Sequence, residues 1–269
     1  MTTKNHYALI TGATSGIGYE LAKLFAQDGY NLIIVARDAV ELKKVCVEFN
    51  QHYQVDVVKI STDLFDIQNA FDLYEKVKSQ GFTVSVLVND AGQGLYGEFI
   101  ETDIQRELDI IQLNISSLVI LTKKFLQDMV SRGEGKILNL ASVASKMPGP
   151  LQSVYYGTKA FVHTFSESIR EEVKDKGVTI TSLLPGATDT DFFNKADMLN
   201  AKNIIEGKKE GKLADSAEVA KAGYEALMAG DDMVIPGIKN KIRIALSNLT
   251  PDSVLAEKSH KRHAPASEE

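Results

Sequence analysis

The sequence predicts an α/β protein with one doubly wound domain, in which a parallel sheet of about seven strands carries helices on both faces. Two observations predict this fold class. Short apolar runs alternate with stretches of helical periodicity from the start of the chain, and no linker with a shift in composition appears before residue 186. Most of the runs are rich in Val, Ile and Leu, as expected for parallel strands that are buried on both faces.

The apolar runs give the order of the strands. Six are predicted as strands and residues 233–237 are a candidate seventh; the six are residues 7–11, 31–36, 55–60, 84–88, 135–142 and 178–185. The stretches IGYELAKLFAQDG and AVELKKVCVEFNQ have helical spacing, and Gly29 follows the first at a position where helices commonly end. Longer helices are expected at residues 103–130 and 153–175. Strand–helix–strand units of this kind need right-handed crossovers.

The regular pattern ends at residue 186. Residues 186–215 are polar, contain glycine and lack a clear period. A long irregular segment in a compact domain is usually functional or mobile, so we predict a lid over the ligand. We expect residues 1–250 to form the single domain. Residues 251–269 would then be a partly flexible C-terminal extension, in which the basic KSHKRH precedes APASEE.

Composition excludes several classes of protein. The net charge of −6 argues against a nucleic-acid surface, which needs clustered Lys and Arg. The single cysteine, Cys46, rules out an intramolecular disulfide, and no Cys/His cluster suggests a metal site. No signal peptide is recognisable, and no run reaches the ~20 apolar residues that span a bilayer. We therefore expect a cytoplasmic protein that does not bind membranes.

A glycine-rich stretch, TGATSGIG at residues 11–18, joins the first strand to the first helix. Gly12 permits a tight turn, Gly16 lets the backbone approach a pyrophosphate, and Gly18 allows close packing of helix against strand. The N-terminus of the following helix supplies unpaired N–H groups and a partial positive charge. The position of the stretch predicts a dinucleotide site in a Rossmann-type domain.

The spacing G-x-x-x-G-x-G resembles that of the short-chain dehydrogenase/reductase family, and further motifs follow in family order over about residues 5–190. TDL (62–64), NDAG (89–92) and PGATDT (185–190) each follow a predicted strand, where open α/β sheets bind ligands. The resemblance places Asp63 at the adenine. It implies cofactor contacts from Gly12, Thr14, Ser15, Gly16, Ile17, Gly18, Asp63, Leu64, Asn89, Ala91, Gly92, Tyr155, Lys159, Pro185, Gly186, Thr188 and Thr190.

The end of the second strand indicates which dinucleotide is bound. Ala36 occupies the position where NAD-type members usually carry an acid that accepts from the ribose 2′-OH. Arg37 comes next and can clasp a 2′-phosphate. Asp38 is interpreted as the cap of the following helix. We therefore predict NADP(H) as the cofactor.

The stretch SVYYGTKAF at residues 153–161 carries the proton chemistry. Hydride delivery to a carbonyl needs an acid beside the oxygen, and free tyrosine, with a pKa of roughly 10, exchanges protons slowly at neutrality. A nearby ammonium would lower that pKa. Tyr155 lies four residues before Lys159 and Tyr156 three, so helix geometry alone does not choose between them.

The resemblance to the family distinguishes Tyr155 from Tyr156. The family signature Y-x-x-x-K fits only Tyr155, and Ser142 precedes that residue by the family spacing of 13 residues. Ser142 would hold the carbonyl and stabilise its developing charge. Asn114 matches the asparagine that anchors a water leading to the lysine. Tyr155 is thus the predicted general acid/base, and Tyr156 is expected to pack or to line the cofactor side.

Two positions depart from the family pattern. Asp90 replaces the second Asn of N-N-A-G, and a carboxylate can accept hydrogen bonds but cannot donate them. Local stability and ribose geometry would therefore change. Thr188 stands where Val is common, and its similar shape is expected to have little effect.

We expect an enzyme that reduces ketones or aldehydes, and reversibly oxidises secondary alcohols. Phe192 and Phe193 suggest an apolar pocket for a small hydrophobic substrate, with no fixed cation. One alternative is a 3-oxoacyl-thioester reductase of fatty-acid synthesis, which would need a basic surface near the pocket. The other is a catalytically silent NADP-binding sensor. Family members pair through the two long helices, so a homodimer or homotetramer is expected.

Overall fold

A computed structural model describes residues 6–265 of the chain. Its strands are β1 (His6–Thr11), β2 (Asn31–Ala36), β3 (Val57–Ser61), β4 (Thr83–Asn89), β5 (Gly135–Leu140), β6 (Val178–Leu183) and β7 (Met233–Val234). They form one sheet in the order β3-β2-β1-β4-β5-β6-β7, and every pair is parallel. The predicted Rossmann-type α/β fold is confirmed.

The helices between the strands cover both faces of the sheet. They are α1 (Gly16–Gln27), α2 (Ala39–His52), α3 (Ile67–Ser79), α4 (Ile104–Ile111), α5 (Leu118–Arg132), α6 (Ser153–Val173), α7 (Phe192–Lys195), α8 (Lys202–Lys209), α9 (Ser216–Ala229), α10 (Ile238–Ser247) and α11 (Asp252–His263). Successive side chains of β1 enter two different cores, with Ile10 packed among α1, α2 and α9 and Leu9 packed among α3, α5 and α6. Burial on both faces explains why the strand sequences are apolar throughout.

Several predicted boundaries differ from the structure, three of them in ways that matter for the site. β3 begins at Val57 rather than at residue 55. β5 ends at Leu140 rather than at residue 142, because the Ser142 hydroxyl accepts a hydrogen bond from Ala144 N (3.1 Å) and begins a 3₁₀ turn over Val143–Lys146. The helix expected at 103–130 is divided into α4 and α5 by a π-helical turn at Gln112–Ser117.

The segment at residues 186–215 contains regular structure that the sequence does not indicate. α7 and α8 lie within it and pack through a small apolar cluster that includes Phe193, Met198 and Ile204. The segment borders the central cavity described below, and its function as a lid stays a prediction.

The C-terminal extension forms α11, whose last residue, His263, is buried. The end of the predicted extension, residues 266–269, lies outside the described residues. No helix between residues 6 and 265 has the length and apolar composition needed to cross a bilayer. Within the same residues no group of His, Cys, Asp or Glu side chains could hold a metal ion.

Candidate active site

A cavity of about 920 Å³ runs along the carboxyl ends of β1, β2, β4, β5 and β6, and we call it the central cavity. It brings together most of the residues that the sequence singles out. Its lining includes Gly12, Thr14, Ser15, Gly16, Ile17, Arg37, Asp63, Leu64, Ala91, Gly92, Ser142, Tyr155, Lys159, Pro185, Gly186, Thr188 and Thr190. Three predicted residues do not border it: Gly18, Asn89 and Asn114.

The glycine turn presents the start of α1 to the cavity. Gly12 and Gly16 have left-handed backbone angles, with φ of 74° and 58°, which glycine adopts at little cost. Ser15 is the N-cap of α1, yet its side chain makes no capping hydrogen bond. The start of α1 therefore borders the cavity without a capping hydrogen bond to Ser15, at the positive end of the helix dipole, and Gly16 and Ile17 line the cavity there. This arrangement fits a pyrophosphate.

Gly18 supports this turn from behind. A Cβ at Gly18 would lie 2.5 Å from Gly12 O and 2.5 Å from Asp90 Oδ2. Real Cβ atoms do not approach backbone oxygens so closely. Gly18 therefore serves the close packing predicted for it, and contacts the rear of the turn rather than the cavity.

The far end of the cavity, beside β2 and β3, carries an exposed guanidinium. Arg37 Cζ lies 4.8 Å from the centre of the Phe65 ring, and no carboxylate among residues 6–265 pairs with it. Stacking leaves the guanidinium N–H groups available to an anion. Asp38 caps α2 as predicted, because its Oδ1 accepts from Val40 N and Glu41 N (2.8 and 3.1 Å). Phe65 follows TDL directly, but a single aromatic residue gives no signal in the sequence.

Tyr155, Lys159 and Ser142 lie on one wall of the cavity. α6 carries the tyrosine and the lysine on one face, and Ser142 follows β5. Lys159 Nζ donates a hydrogen bond to Leu140 O (2.7 Å) and lies 5.9 Å from the centre of the Tyr155 ring. The Tyr155 ring packs against Phe192, with ring centres 5.2 Å apart.

Burial shifts the pKa values of the two titratable side chains on this wall, Tyr155 and Lys159. It raises the pKa of the Tyr155 phenol, and the neighbouring Ser142 hydroxyl opposes the rise. The pKa of this phenol is therefore not lowered as expected, because desolvation by burial is the largest influence on it. Burial also lowers the pKa of Lys159 to about 8. At neutral pH the phenol keeps its proton, which is the form that can protonate an alkoxide.

Asn114 lies behind the cavity wall in the π-helical turn. Its Oδ1 accepts from Gln93 N (3.0 Å), and its Nδ2 donates to Gln93 O (2.9 Å) and to Thr158 Oγ1 (3.0 Å). A Cβ at Gly92 would lie 3.3 Å from both Asn114 Oδ1 and Lys159 Nζ, so the amide and the ammonium are close neighbours. Turns of this type often occur at functional sites.

Asn89 holds the sheet together instead of bordering the cavity. Its Nδ2 donates to Thr122 Oγ1 (2.9 Å) and to Asn139 Oδ1 (2.8 Å), both buried. The amide thereby joins β4 to β5 and α5. The predicted cofactor contact of the Asn89 side chain is thus not supported by its position.

Asp90 faces the glycine turn. A Cβ added to Gly12 would lie only 2.8 Å from Asp90 Oδ2, so this oxygen is close to the turn. The other oxygen, Oδ1, is buried without a hydrogen-bond partner. Burial raises the pKa of this carboxyl to about 7, although the charge of Lys159 and the N–H of Gly18 oppose the rise. The carboxyl can therefore gain or lose a proton near neutral pH.

The opposite end of the cavity carries both apolar and cationic side chains. Phe192, Phe193 and Met198 line it, as do Lys239, Arg243 and Arg262. The expectation of a pocket with no fixed cation is wrong. α10 and α11 bring these cations from the last part of the chain, where no motif marks them.

Tyr156 packs against α11 at this end, in agreement with its predicted packing role. Its hydroxyl lies 3.3 Å from His263 Nε2, and the two rings meet edge to face. Tyr96 OH donates to His263 O (2.6 Å), which fixes the end of α11 over the cavity.

Comparison with known proteins places this site in a family. The family model of the short chain dehydrogenases matches residues 6–199. A very-long-chain 3-oxoacyl-CoA reductase of Rattus norvegicus is 36% identical over 185 residues, which are 66% of this chain and 58% of the rat enzyme. An uncharacterized oxidoreductase of Staphylococcus epidermidis is 30% identical over 208 residues, 76% of this chain and 89% of that protein.

A solved structure shares the fold over nearly the whole chain. It is a short-chain dehydrogenase from Sphingobium yanoikuyae in complex with NADPH, with a TM-score of 0.81 and 25% identity, covering 98% of this chain and 97% of the other. The match to the rat 3-oxoacyl-CoA reductase, in contrast, spans little more than half of that enzyme's length. From the matched family model and the solved structure together, we conclude that the chain belongs to the short chain dehydrogenase family.

Proposed function

We propose that the protein is an NADP(H)-dependent oxidoreductase that reduces ketones or aldehydes, and reversibly oxidises secondary alcohols, with Tyr155 as general acid/base. The observation that carries the proposal is the presence of Tyr155, Lys159 and Ser142 on one wall of a cavity that also contains the glycine turn. Family membership and the NADPH complex of the relative from Sphingobium yanoikuyae support it.

The choice of cofactor rests on the two ends of the nucleotide site. The uncapped start of α1 would hold the pyrophosphate, and Arg37 would hold the 2′-phosphate. Ala36 offers no carboxylate to a ribose 2′-OH. When bound, the nicotinamide supplies a hydride to the substrate carbon.

The side chains supply position and a proton. The Ser142 hydroxyl would hydrogen-bond the carbonyl oxygen and stabilise the negative charge that develops on it. Tyr155, protonated at neutral pH because burial raises its pKa, donates its proton to that oxygen. Lys159, with a pKa of about 8, supports return of the proton to the phenol, and Asn114 fixes the backbone at Gln93 beside it.

A second candidate is a 3-oxoacyl-thioester reductase. Relatives from Rattus norvegicus and Danio rerio carry the name very-long-chain 3-oxoacyl-CoA reductase, and both are 36% identical over 185 residues. The cations on α10 and α11 also supply the basic surface near the pocket that this substrate class would need.

The test is a screen of NADPH and NADH oxidation over ketones, aldehydes and a 3-oxoacyl thioester. We expect oxidation of NADPH in preference to NADH, and an Arg37→Asp variant that loses at least ~10-fold of this preference because its charge-assisted contact is removed. Rates on the thioester far above those on simple ketones would select the second candidate. NADPH binding without oxidation across the whole panel would contradict both and favour a catalytically silent sensor.

A further inference from the structure

Three cations at the substrate end of the central cavity have no acidic partner within residues 6–265. Lys239, Arg243 and Arg262 line this end, and none of them forms an ion pair there. Two other lysines of the lining, Lys195 and Lys212, are paired with Asp191 and Glu210. Arg243 is half-buried, and its Nη2 contacts the thioether of Met147 (3.1 Å).

The guanidinium groups of Arg243 and Arg262 influence each other and the nearby phenol of Tyr156. Burial and the charge of Arg262 both lower the pKa of Arg243. Both arginines favour the phenolate of Tyr156 and oppose the burial that raises its pKa. His263, which lines the same cavity, has a pKa lowered to about 4 by burial and is neutral at pH 7. Arg243 is therefore a half-buried cation with a second cation nearby and no ion-pair partner among residues 6–265, an arrangement that a bound anion would stabilise.

Arg243 lies near the tyrosines at which the substrate carbonyl would bind. The Asn240 amide packs over Gly186, where an added Cβ would lie 2.6 Å from Asn240 Nδ2. Arg243 is three residues further along α10, on the same helix face. The charge of Arg243 favours the phenolate of Tyr156, and the ring centre of Tyr156 is 6.0 Å from that of Tyr155. Arg37 lies at the other end of the cavity, beside β2, so the pair is separate from the site suited to the cofactor 2′-phosphate.

We propose that Arg243 and Arg262 bind an oxyanion group of the carbonyl substrate, with Lys239 at the rim of the same subsite. The substrate class is then a ketone or aldehyde that carries a carboxylate or a phosphate, such as an oxo acid or an acyl-CoA thioester. The inference deepens the proposed function, because it names the class of molecule on which Tyr155 acts. The planar guanidinium suits both anions, since it offers paired donors to two oxygens.

The test measures binding by calorimetry without cofactor, so that no turnover is needed. One arm compares 4-oxopentanoate, 5-oxohexanoate and 6-oxoheptanoate with their methyl esters. The other arm compares acetoacetyl-CoA with the acetoacetyl thioester of N-acetylcysteamine, which lacks the phosphates. We expect the wild-type protein to bind the charged member of at least one pair about tenfold or more tightly than the neutral member. An arm whose preference is lost in Arg243→Met identifies the anion of this subsite as carboxylate or phosphate, because CoA phosphates could also bind at α1 and Arg37.

Variants separate this subsite from general surface charge. Arg243→Met should remove most of the preference, and Arg262→Met should reduce it. Lys241→Met is the matched control, because Lys241 is exposed on the same helix and does not line the cavity. Circular dichroism shows whether each variant is folded.

Two results would overturn the proposal. One is equal binding of charged and neutral members by the wild-type protein in both arms, which needs no variant. The other is a preference that survives in folded Arg243→Met and Arg262→Met alike. A preference for anions without any NADPH oxidation would instead contradict the proposed function and leave the subsite standing.

Discussion

Asp90 places a buried ionisable group against the glycine turn. The folded protein holds the proton of this carboxyl up to about pH 7, whereas the free side chain releases it near its ordinary pKa of 3.8. A pKa that is raised on folding means that the folded state binds more protons. Its contribution to stability is therefore most favourable at low pH and is lost as the pH rises towards 7.

Asp90→Asn should raise the free energy of unfolding at pH 8 by roughly 1–4 kcal/mol, and by less at pH 5, because the amide has no charge to bury. Urea denaturation at the two pH values measures the difference. Asp175→Asn is the control, since Asp175 is exposed. Equal stability changes at both pH values would show that the Asp90 carboxyl is not the cause.

Residue identities were easier to predict than residue environments. The spacing of Ser142, Tyr155 and Lys159 marks them in the sequence, and the structure places all three on the cavity wall. The direction of the Tyr155 pKa shift was not predictable, because it depends on burial by the surrounding elements. Arg243 was missed because an isolated arginine in a helix has no distinguishing pattern.

At the scale of elements, α1 depends on how closely it packs against the turn that follows β1. Gly18→Ala should lower the free energy of unfolding by about 1–3 kcal/mol, because the new methyl group would overlap Gly12 O and Asp90 Oδ2. Gly157→Ala is a matched control in α6, where an added Cβ meets no atom within 4 Å. It should stabilise the protein by about 0.5–1 kcal/mol through helix propensity. Similar effects of the two substitutions on thermal unfolding would contradict the packing argument.

Strands and long helices were predictable because apolar runs mark the strands and apolar residues at helical spacing mark the helices. The π-helical turn at Gln112–Ser117 was not, since its geometry accompanies the tertiary hydrogen bonds that Asn114 makes to Gln93. α7 has only four residues, too few for a periodic pattern. The contact of α11 with Tyr156 and Tyr96 joins residues more than 100 positions apart, and no local signal announces it.

For the whole molecule, an apolar surface lies on and before α4. Ile100, Ile104 and Leu108 are 87%, 64% and 50% exposed, and Phe161 on α6 is 40% exposed. Exposed apolar side chains grouped in this way are typical of protein–protein contacts. We expect a homodimer or homotetramer that buries this surface.

Leu108→Glu should weaken the assembly at least ~10-fold, because the contact would then bury an unpaired charge. Light scattering after size-exclusion chromatography measures the mass. Val47→Glu is the control on α2, where Val47 is 46% exposed. A wild-type protein that is monomeric at the highest concentration tested would rule out this assembly.

The most direct test of the proposed chemistry removes one hydroxyl at a time from the paired tyrosines. Tyr155→Phe should lower kcat for carbonyl reduction by roughly 10²–10⁴-fold and leave the Kd for NADPH within about threefold, because only proton donation is lost. Tyr156→Phe, which loses the contact with His263, should keep kcat within about tenfold. A Tyr155→Phe enzyme that binds NADPH and turns over like the wild type would contradict the account.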